Sequence, residues 1–265
     1  MPDIDSLPPG SFCWPELATT DQKAAVAFYT DLFGWTVNEQ PIGPTETYSM
    51  FQVRGREAAA AYTMRPEELQ HGVPPHWNSY VAVTSADEAA KKAQELGGTV
   101  LAPPFDVMDV GRMAVLQDPT GAVFQVWQPK KHSGARVVGE PGTLTWTELA
   151  TNDTKKAEQF YTKLFGWKSK VGNDVGMEYT EFSVNGAPGA GMMDTKHLGP
   201  NSNMPPNWTP YFQVKDVDAS AAKAKELGAK LFVPPSDIPK VGRFAVVQDP
   251  QGAVFAIFKP ADRVQ

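Results

Sequence analysis

The chain of 265 residues is 42% hydrophobic and 20% charged, which is the composition of a globular protein long enough for two domains. A formal net charge of −6 argues against a nucleic-acid partner, and the lack of an apolar run of about eighteen residues argues against a membrane span. The single cysteine, Cys13, excludes an intramolecular disulfide, and an amino-terminal segment without the features of a secretory signal predicts a cytoplasmic protein.

In chain order, the first half of the sequence predicts strands and helices in alternation. The first helix has an N-cap oxygen at Thr20 or Asp21 and ends at Gly34, and the second opens with a capping box of Ser85 and Glu88. Alternating apolar residues and turn residues mark the strands. The predicted elements are a strand at 12–18, a helix at 21–34, strands at 47–53, 59–64 and 77–83, a helix at 85–98 and a hairpin formed by 112–117 and 122–128.

The second half of the sequence repeats the first. FYTDLFGW at 28–35 returns as FYTKLFGW at 160–167, and VGRMAVLQDPTGAVF at 110–124 returns as VGRFAVVQDPQGAVF at 241–255. The later pair is separated by one residue less than the earlier pair, which a single loop deletion explains. The two halves are therefore copies of one module.

The segment between the copies, 128–142, is rich in Gly, Pro and charge, as a linker should be. We therefore place one domain at 1–134 and a second at 135–265. Each half contains two strand–helix–three-strand (βαβββ) units. A few helices combined with mostly antiparallel strands predict an α+β fold.

A strand, a helix that ends in FYxxLFGW and a hairpin built on QDPxGAVF together resemble the vicinal oxygen chelate superfamily. This superfamily includes glyoxalase I, bleomycin-resistance proteins and extradiol dioxygenases, and the resemblance covers nearly the whole chain twice, as in two-module glyoxalase-like proteins. It implies that the two βαβββ units of each module form a cupped mixed sheet with the helices outside. It also implies that the modules pair within one chain, which would be a monomer or a homodimer. One fold hosts many reactions, so the function must come from the site.

In the metal enzymes of this superfamily, three ligands project into the cup, commonly two His and one Glu. The resemblance places these positions at Trp14, Ser79 and Gln125 in the first module and at Trp146, Pro210 and Ala256 in the second. Trp, Pro and Ala offer no donor to a cation, and a lone Gln or Ser oxygen is a weak ligand. The four histidines fall in predicted loops or in the linker. His76 lies in a loop, and we predict that it is exposed to solvent. We therefore predict cups that hold no metal and no other cofactor.

The opening strand of each module carries an indole and a carboxylate two residues apart. Alternation puts Trp14 and Glu16 on one face together with Phe12 and Ala18, and the copy repeats this pattern with Leu144, Trp146, Glu148 and Ala150. The resemblance turns this face into the cup. A mostly apolar cavity with one placed polar group suits a small molecule. The predicted ligand-binding residues are Trp14, Glu16, Ser79, Gln125, Trp146 and Glu148.

The two cups are not predicted to be equivalent. Gln125 enters the first cup, whereas Ala256 leaves the second without an amide, so we expect the first to be the more selective site. The tryptophans could instead be core residues, and the glutamates could be satisfied by structural hydrogen bonds. Arg112 and Arg243 should point outward, away from these carboxylates.

Three classes of function remain open at this point. The first is a metal-free protein that binds a small, partly aromatic or polar molecule. The second is an enzyme of the superfamily, either metal-dependent or with Glu16 or Glu148 as general base. The third is a scaffold whose cups are filled by side chains.

Overall fold

The computed structural model describes residues 4–173, 176–198 and 204–261. The first module contains β1 (Phe12–Thr19), α1 (Gln22–Phe33), β2 (Thr36–Pro41), β3 (Thr47–Val53), β4 (Arg56–Thr63), α2 (Pro66–Gln70), β5 (His76–Ala82), α3 (Ala86–Glu95), β6 (Thr99–Val107), β7 (Gly111–Gln117) and β8 (Val123–Pro129). The second contains β9 (Leu144–Thr151), α4 (Thr154–Phe165), β10 (Lys168–Gly172), β11 (Tyr179–Val184), β12 (Ala187–Asp194), a 3₁₀ turn (Thr195–Leu198), β13 (Asn207–Gln213), α5 (Val217–Glu226), β14 (Lys230–Ile238), β15 (Gly242–Gln248) and β16 (Val254–Pro260).

Each module forms one eight-stranded mixed sheet. The strand order is β2-β3-β4-β1-β5-β8-β7-β6 in the first sheet and β10-β11-β12-β9-β13-β16-β15-β14 in the second. The two βαβββ units of a module meet where β1 pairs antiparallel with β5, and likewise where β9 pairs with β13. The predicted α+β fold with tandem cupped sheets is confirmed. The domain boundary at 134/135 stays a prediction.

The long helices begin and end where the sequence indicates. Asp21 accepts a hydrogen bond from the backbone N–H of Ala24 at 2.9 Å, and α1 ends at Gly34 in the left-handed conformation. The copy repeats this arrangement with Asp153 and Gly166 around α4. The polar edge strand β2 and the short helix α2 were not predicted from the sequence. No helix among the described residues is long and apolar enough to cross a bilayer.

The two modules share their hydrophobic cores. One core combines α1 and the first βαβββ unit of the first module with α5 and the second unit of the second module. The other core combines the remaining two units around α3 and α4. Each core therefore takes a helix from each module, and the cup residues Glu16 and Glu148 belong to neither core.

The repeated FYxxLFGW phrase joins the modules. The Tyr29 hydroxyl donates to the carboxylate of Asp249 at 2.8 Å, and Trp35 Nε1 donates to the carbonyl of Gly142 at 2.7 Å. The copy makes the reciprocal bonds: the Tyr161 hydroxyl donates to Asp118 at 2.9 Å, and Trp167 Nε1 donates to the carbonyl of Gly10 at 2.9 Å. Each phrase thus binds the QDPxG turn and the opening strand region of the other module.

The two aspartates each serve two structures at once. Asp118 Oδ1 accepts the backbone N–H groups of Thr120, Gly121 and Ala122 and so closes its own turn. Its other oxygen accepts the tyrosine of the second module, and Asp249 does the same for the first. A buried carboxylate requires such partners, which explains why both turns carry Asp.

A β-bulge corrects one prediction about the opening strand. The register of β1 shifts between Phe12 and Trp14, so these residues do not share a face. Phe12 instead packs on Trp167 and Trp208 in the shared core, with ring centroids 5.7 and 4.8 Å apart. The corresponding irregularity puts Leu144 in the same core. Alternation fails here because the bulge inserts one residue.

Candidate ligand-binding cups

Two sheet faces, which we call the first and second cups, carry the predicted site residues. The first cup is formed by Trp14, Glu16, Tyr48, Asn78, Tyr80 and Gln125. The second is formed by the corresponding Trp146, Glu148, Tyr179, Thr209, Tyr211 and Ala256. The contact of these residues with a ligand stays a prediction.

The same hydrogen-bonded array occupies both cups. In the first, Trp14 Nε1 donates to the Tyr48 hydroxyl at 2.9 Å, which donates to Glu16 Oε1 at 2.7 Å, and the Tyr80 hydroxyl donates to Glu16 Oε2 at 2.8 Å. We call this arrangement the Trp–Tyr–Glu–Tyr array. Each glutamate accepts one tyrosine hydroxyl on each oxygen.

The second cup repeats the array at similar distances. Trp146 Nε1 donates to the Tyr179 hydroxyl at 3.1 Å, and that hydroxyl donates to Glu148 Oε2 at 2.7 Å. The Tyr211 hydroxyl donates to Glu148 Oε1 at 2.7 Å. Gly191 makes room for this geometry, because a Cβ at that position would lie 1.7 Å from the Tyr179 hydroxyl oxygen.

Burial controls the protonation of both arrays. Burial raises the pKa of Glu16, although the hydrogen bonds from Tyr48, Tyr80 and Asn78 favour the charged form and act in the opposite direction. Burial raises the pKa of Glu148 in the same way against two tyrosine hydroxyls. The pKa values of the tyrosines lie well above their usual range, first because of burial and then because of the neighbouring carboxylate. The tyrosines therefore remain donors, and each carboxyl is disposed to take up a proton.

The arginines of the repeated VGR motif are turned away from the glutamates. Arg112 Nε donates to Asp87 of α3 at 2.7 Å and lies 3.4 Å from Asp106. Arg243 makes the equivalent bonds to Asp218 and Asp237. These surface clusters clamp a helix onto its sheet and do not serve the cups.

The first cup adds a polar chain that the second lacks. Asn78 Nδ2 donates to Glu16 Oε2 at 3.3 Å, and Gln125 Nε2 donates to Asn78 Oδ1 at 2.6 Å. His76 Nε2 lies 3.0 Å from the same Asn78 oxygen. The corresponding residues of the second module are Thr209, Ala256 and Asn207, which cannot form this chain.

The linker covers the first cup. The ring of His132 meets Trp14 edge-on with centroids 4.7 Å apart, and its backbone carbonyl accepts Trp127 Nε1 at 2.9 Å. Ala135 N donates to the carbonyl of Cys13 at 2.8 Å. Trp14 is consequently 4% exposed and Glu16 9% exposed.

The array of the second cup is more accessible. Trp146, Glu148 and Tyr179 are half-buried, although Tyr211 at the back of the array is buried. Grooves of about 330 and 460 Å³ in the described chain lie around Lys259 and Pro260 and not over either array.

Ser79 does not lie in the cup. Its neighbours of the same parity on β5, Trp77 and Val81, belong to the two shared cores, so Ser79 lies on the core face, and it is buried with no hydrogen-bond partner for its hydroxyl. The cup residues of β5 are instead Asn78 and Tyr80. The expected spacing was wrong by one residue, and one residue reverses the face of a strand.

The sequence analysis also missed the two tyrosines of each array. The signal for Tyr80 and Tyr211 was available, since each lies in a repeated strand of known alternation. Tyr48 and Tyr179 come from β3 and β11, which do not pair directly with the opening strand. No local pattern links them to a glutamate that lies two strands away in the sheet.

The residues present do not fit a divalent cation. The positions implied by the resemblance offer an indole N–H, a hydroxyl on the other face and an amide in the first cup, and an indole, a proline and an alanine in the second. The one carboxylate nearby is surrounded by O–H and N–H donors, where a cation would need lone pairs. Within the described ranges, no three His, Cys, Asp or Glu residues converge on a point. The absence of a resident metal remains a prediction.

Two kinds of comparison relate this sequence to known proteins, a family profile and individual relatives. The profile of the Glyoxalase/Bleomycin resistance protein/Dioxygenase superfamily matches residues 12–126 and 143–257. "Putative glyoxylase CFP32" of Mycobacterium tuberculosis is 42% identical over 98% of this chain and 99% of its own length. "Anthracycline biosynthesis protein DauV" of Streptomyces sp. is 36% identical over 94% of this chain and 93% of its own.

Solved structures agree on the fold. The Mn(II)-bound glyoxalase from Novosphingobium aromaticivorans superposes with a TM-score of 0.63 over 95% of this chain and 82% of its own, at 16% identity. The 2,3-dioxygenase LapB from Pseudomonas sp. KL28 gives a TM-score of 0.65 over 95% of this chain and 92% of its own, at 11% identity. At such identities the likeness concerns the fold alone.

Proposed function

Because the chain belongs to the Glyoxalase/Bleomycin resistance protein/Dioxygenase superfamily, we propose that it binds a small, partly aromatic or polar molecule on a Trp–Tyr–Glu–Tyr array, with the second cup as the accessible site. The observation that carries the proposal is the half-buried Glu148, which accepts two tyrosine hydroxyls and is less buried than Glu16. The first cup, which the sequence favours, is covered by the linker.

The array indicates the chemistry of the ligand. The protons of Trp146, Tyr179 and Tyr211 are directed inward, so the open side of the array offers the remaining carboxylate lone pairs. The ring of Tyr211 is stacked with Phe244 at 6.5 Å and supplies an apolar wall. A planar ring that carries a hydroxyl or amino group satisfies both features.

A fragment screen with a matched pair of variants tests the proposal. Neutral phenols and anilines are screened by thermal shift and ligand-observed NMR against the wild type, Glu148→Gln and Glu16→Gln. We expect hits that bind the wild type and Glu16→Gln and lose at least about tenfold in affinity with Glu148→Gln, because a charge-assisted hydrogen bond contributes about 1.5–3 kcal/mol. Hits that bind Glu148→Gln as well as the wild type would overturn the assignment of the site.

Catalysis is the second candidate. The raised pKa of Glu148 suits a general base at neutral pH, and one relative carries the name glyoxylase. In such a reaction the carboxylate would remove a proton from a carbon next to a carbonyl group, with the tyrosines holding its orientation. Exchange of solvent deuterium into a bound aryl ketone, lost with Glu148→Gln, would support this activity.

We propose that the protein binds its ligand without a resident metal. Elemental analysis after dialysis should find far less than one Mn, Fe, Ni or Zn per chain. About one ion per chain, retained through dialysis and required for binding, would contradict the proposal.

A further inference from the structure

The two ring nitrogens of His76 both face oxygen atoms. Nδ1 lies 2.8 Å from the backbone carbonyl of Pro74, and Nε2 lies 3.0 Å from Asn78 Oδ1. A backbone carbonyl can only accept, so Nδ1 carries a proton. A neutral imidazole would then direct the lone pair of Nε2 at the Asn78 oxygen, which is repulsive.

The orientation of the Asn78 amide is set by its other partners. Its Nδ2 lies 3.3 Å from Glu16 Oε2, and its oxygen accepts Gln125 Nε2 at 2.6 Å. This orientation suits an ionised Glu16, which can only accept. With Glu16 ionised, His76 Nε2 must donate, and the ring is an imidazolium.

A reversed arrangement satisfies the same groups. If Glu16 holds the proton, it can donate to the Asn78 oxygen once that amide has turned over, and the Asn78 amide nitrogen can donate to a neutral His76 Nε2. Gln125 turns as well and accepts from Asn78. The two arrangements contain the same number of protons, with one proton on Glu16 or on His76.

We propose that His76 is the counter-cation of the buried Glu16 carboxylate and that Asn78 couples the two, so that a single proton of the first cup resides on one or the other. Both are positioning and charge-balancing roles, and neither depends on ligand binding in the second cup. The half-buried His76 connects the covered cup to solvent.

The surroundings of Glu16 leave this role to His76. The other titratable groups near it are the hydroxyls of Tyr48 and Tyr80 and that of Tyr62, which is bonded to Glu68 and also hydrogen-bonded to Asn78. His132, which covers Trp14, is paired with Glu57 at 3.5 Å. The charge of His76 favours the ionised form of Glu16 against the effect of burial on its pKa.

The second cup is an internal control. Asn207, Thr209 and Ala256 replace His76, Asn78 and Gln125, so Glu148 has no such chain and is half-buried instead. A covered carboxylate gains more from a nearby cation than a half-buried one does, because solvent screens it less.

NMR of protein labelled with ¹³C-glutamate and ¹⁵N-histidine tests the proposal in the full chain. We compare the wild type with His76→Asn, which installs the residue of the second module, and with His71→Asn at the exposed end of α2 as the matched control. In the wild type, where the pair holds one proton and Glu16 is ionised, we expect both nitrogens of His76 to be protonated. His76→Asn should move the Glu16 transition to higher pH and leave Glu148 unchanged, and His71→Asn should change neither.

Two results would overturn the proposal. One is a Glu16 transition at the same pH in the wild type and in His76→Asn. The other is a His76 ring that is already neutral at the pH where Glu16 first ionises in the wild type, which the ¹⁵N shifts report without any variant. Asn78→Thr, again the residue of the second module, should uncouple the titrations of His76 and Glu16, and persistent coupling would also contradict the role of Asn78.

Discussion

The two cups carry the same four-residue array in different surroundings. In the first, the linker and His132 cover Trp14, and the Asn78 chain adds polar partners to Glu16. In the second, Trp146 and Glu148 are half-buried and the polar chain is missing. The same hydrogen-bonded array is therefore a structural element where it is covered and a candidate site where it is more accessible. Under the proposed function, the cover over the first cup, and not the identity of the glutamate, distinguishes the two cups.

The module interface supplies the reference for this comparison, because its two halves are equivalent. Tyr29→Phe leaves Asp249 and the indole N–H of Trp77 without their buried partner, and Tyr161→Phe does the same to Asp118 and Trp208. We expect each variant to lower the free energy of unfolding by about 2–3 kcal/mol. Urea unfolding should give two similar losses, and a large difference would show that the interface is not symmetric in energy.

The cups, in contrast, should respond unequally to the same substitution. Glu16→Gln replaces an acceptor by an amide N–H that faces hydroxyl or amide donors in a buried site, so we expect a loss of about 1–2 kcal/mol at neutral pH. Glu148→Gln should cost less than about 1 kcal/mol, because solvent can reach its amide. Equal losses in urea unfolding would break the distinction between the cups.

The effect of Glu16→Gln on the free energy of unfolding should also depend on pH. The folded-state pKa of Glu16 is raised by burial, so the folded state binds a proton more readily than the unfolded state does. The stability that Glu16 contributes is therefore fully present below its unfolded pKa and is lost as the pH rises through its folded pKa. The difference in free energy of unfolding between wild type and Glu16→Gln should shrink with rising pH. A difference that grows with pH would contradict the raised pKa.

The smallest expected effect concerns the indole protons. Trp14 Nε1 is bonded to Tyr48 beneath the linker, whereas Trp146 is half-buried. Hydrogen exchange followed by NMR should therefore be slower for the indole N–H of Trp14. His132→Ala should accelerate exchange at Trp14 and leave Trp146 unchanged. An equal rate at the two indoles in the wild type would mean that the linker does not protect the first cup.

Much of the fold follows from the sequence, because repeated phrases and helix caps are local signals. The phrase FYxxLFGW also predicts the superfamily, which the family profile confirms. Its contacts were not predictable, because Tyr29 meets Asp249 only after the two modules have come together. A helix predicted from spacing says nothing about which sheet lies on its far side.

The candidate site was predicted only in part, and the reasons are geometric. Alternation along one strand places Trp14 and Glu16 on the same face but cannot anticipate the bulge that removes Phe12. Counting from a family spacing placed Ser79 on the wrong face, because a shift of one residue reverses a strand. A Gly- and Pro-rich composition predicts a flexible linker. Its contacts with Trp14 and Cys13 could not be predicted, because they join segments that are distant in the sequence.

The most direct test of the account is the response of the two glutamate carboxyls to a bound ligand. With ¹³C-glutamate labelling, a phenol that raises the melting temperature is titrated into the wild type, and the carboxyl resonances of Glu16 and Glu148 are followed. We predict a saturable shift at Glu148 and none at Glu16 beyond small indirect changes. A saturable shift confined to Glu16, or saturation with neither carboxyl affected, would contradict it.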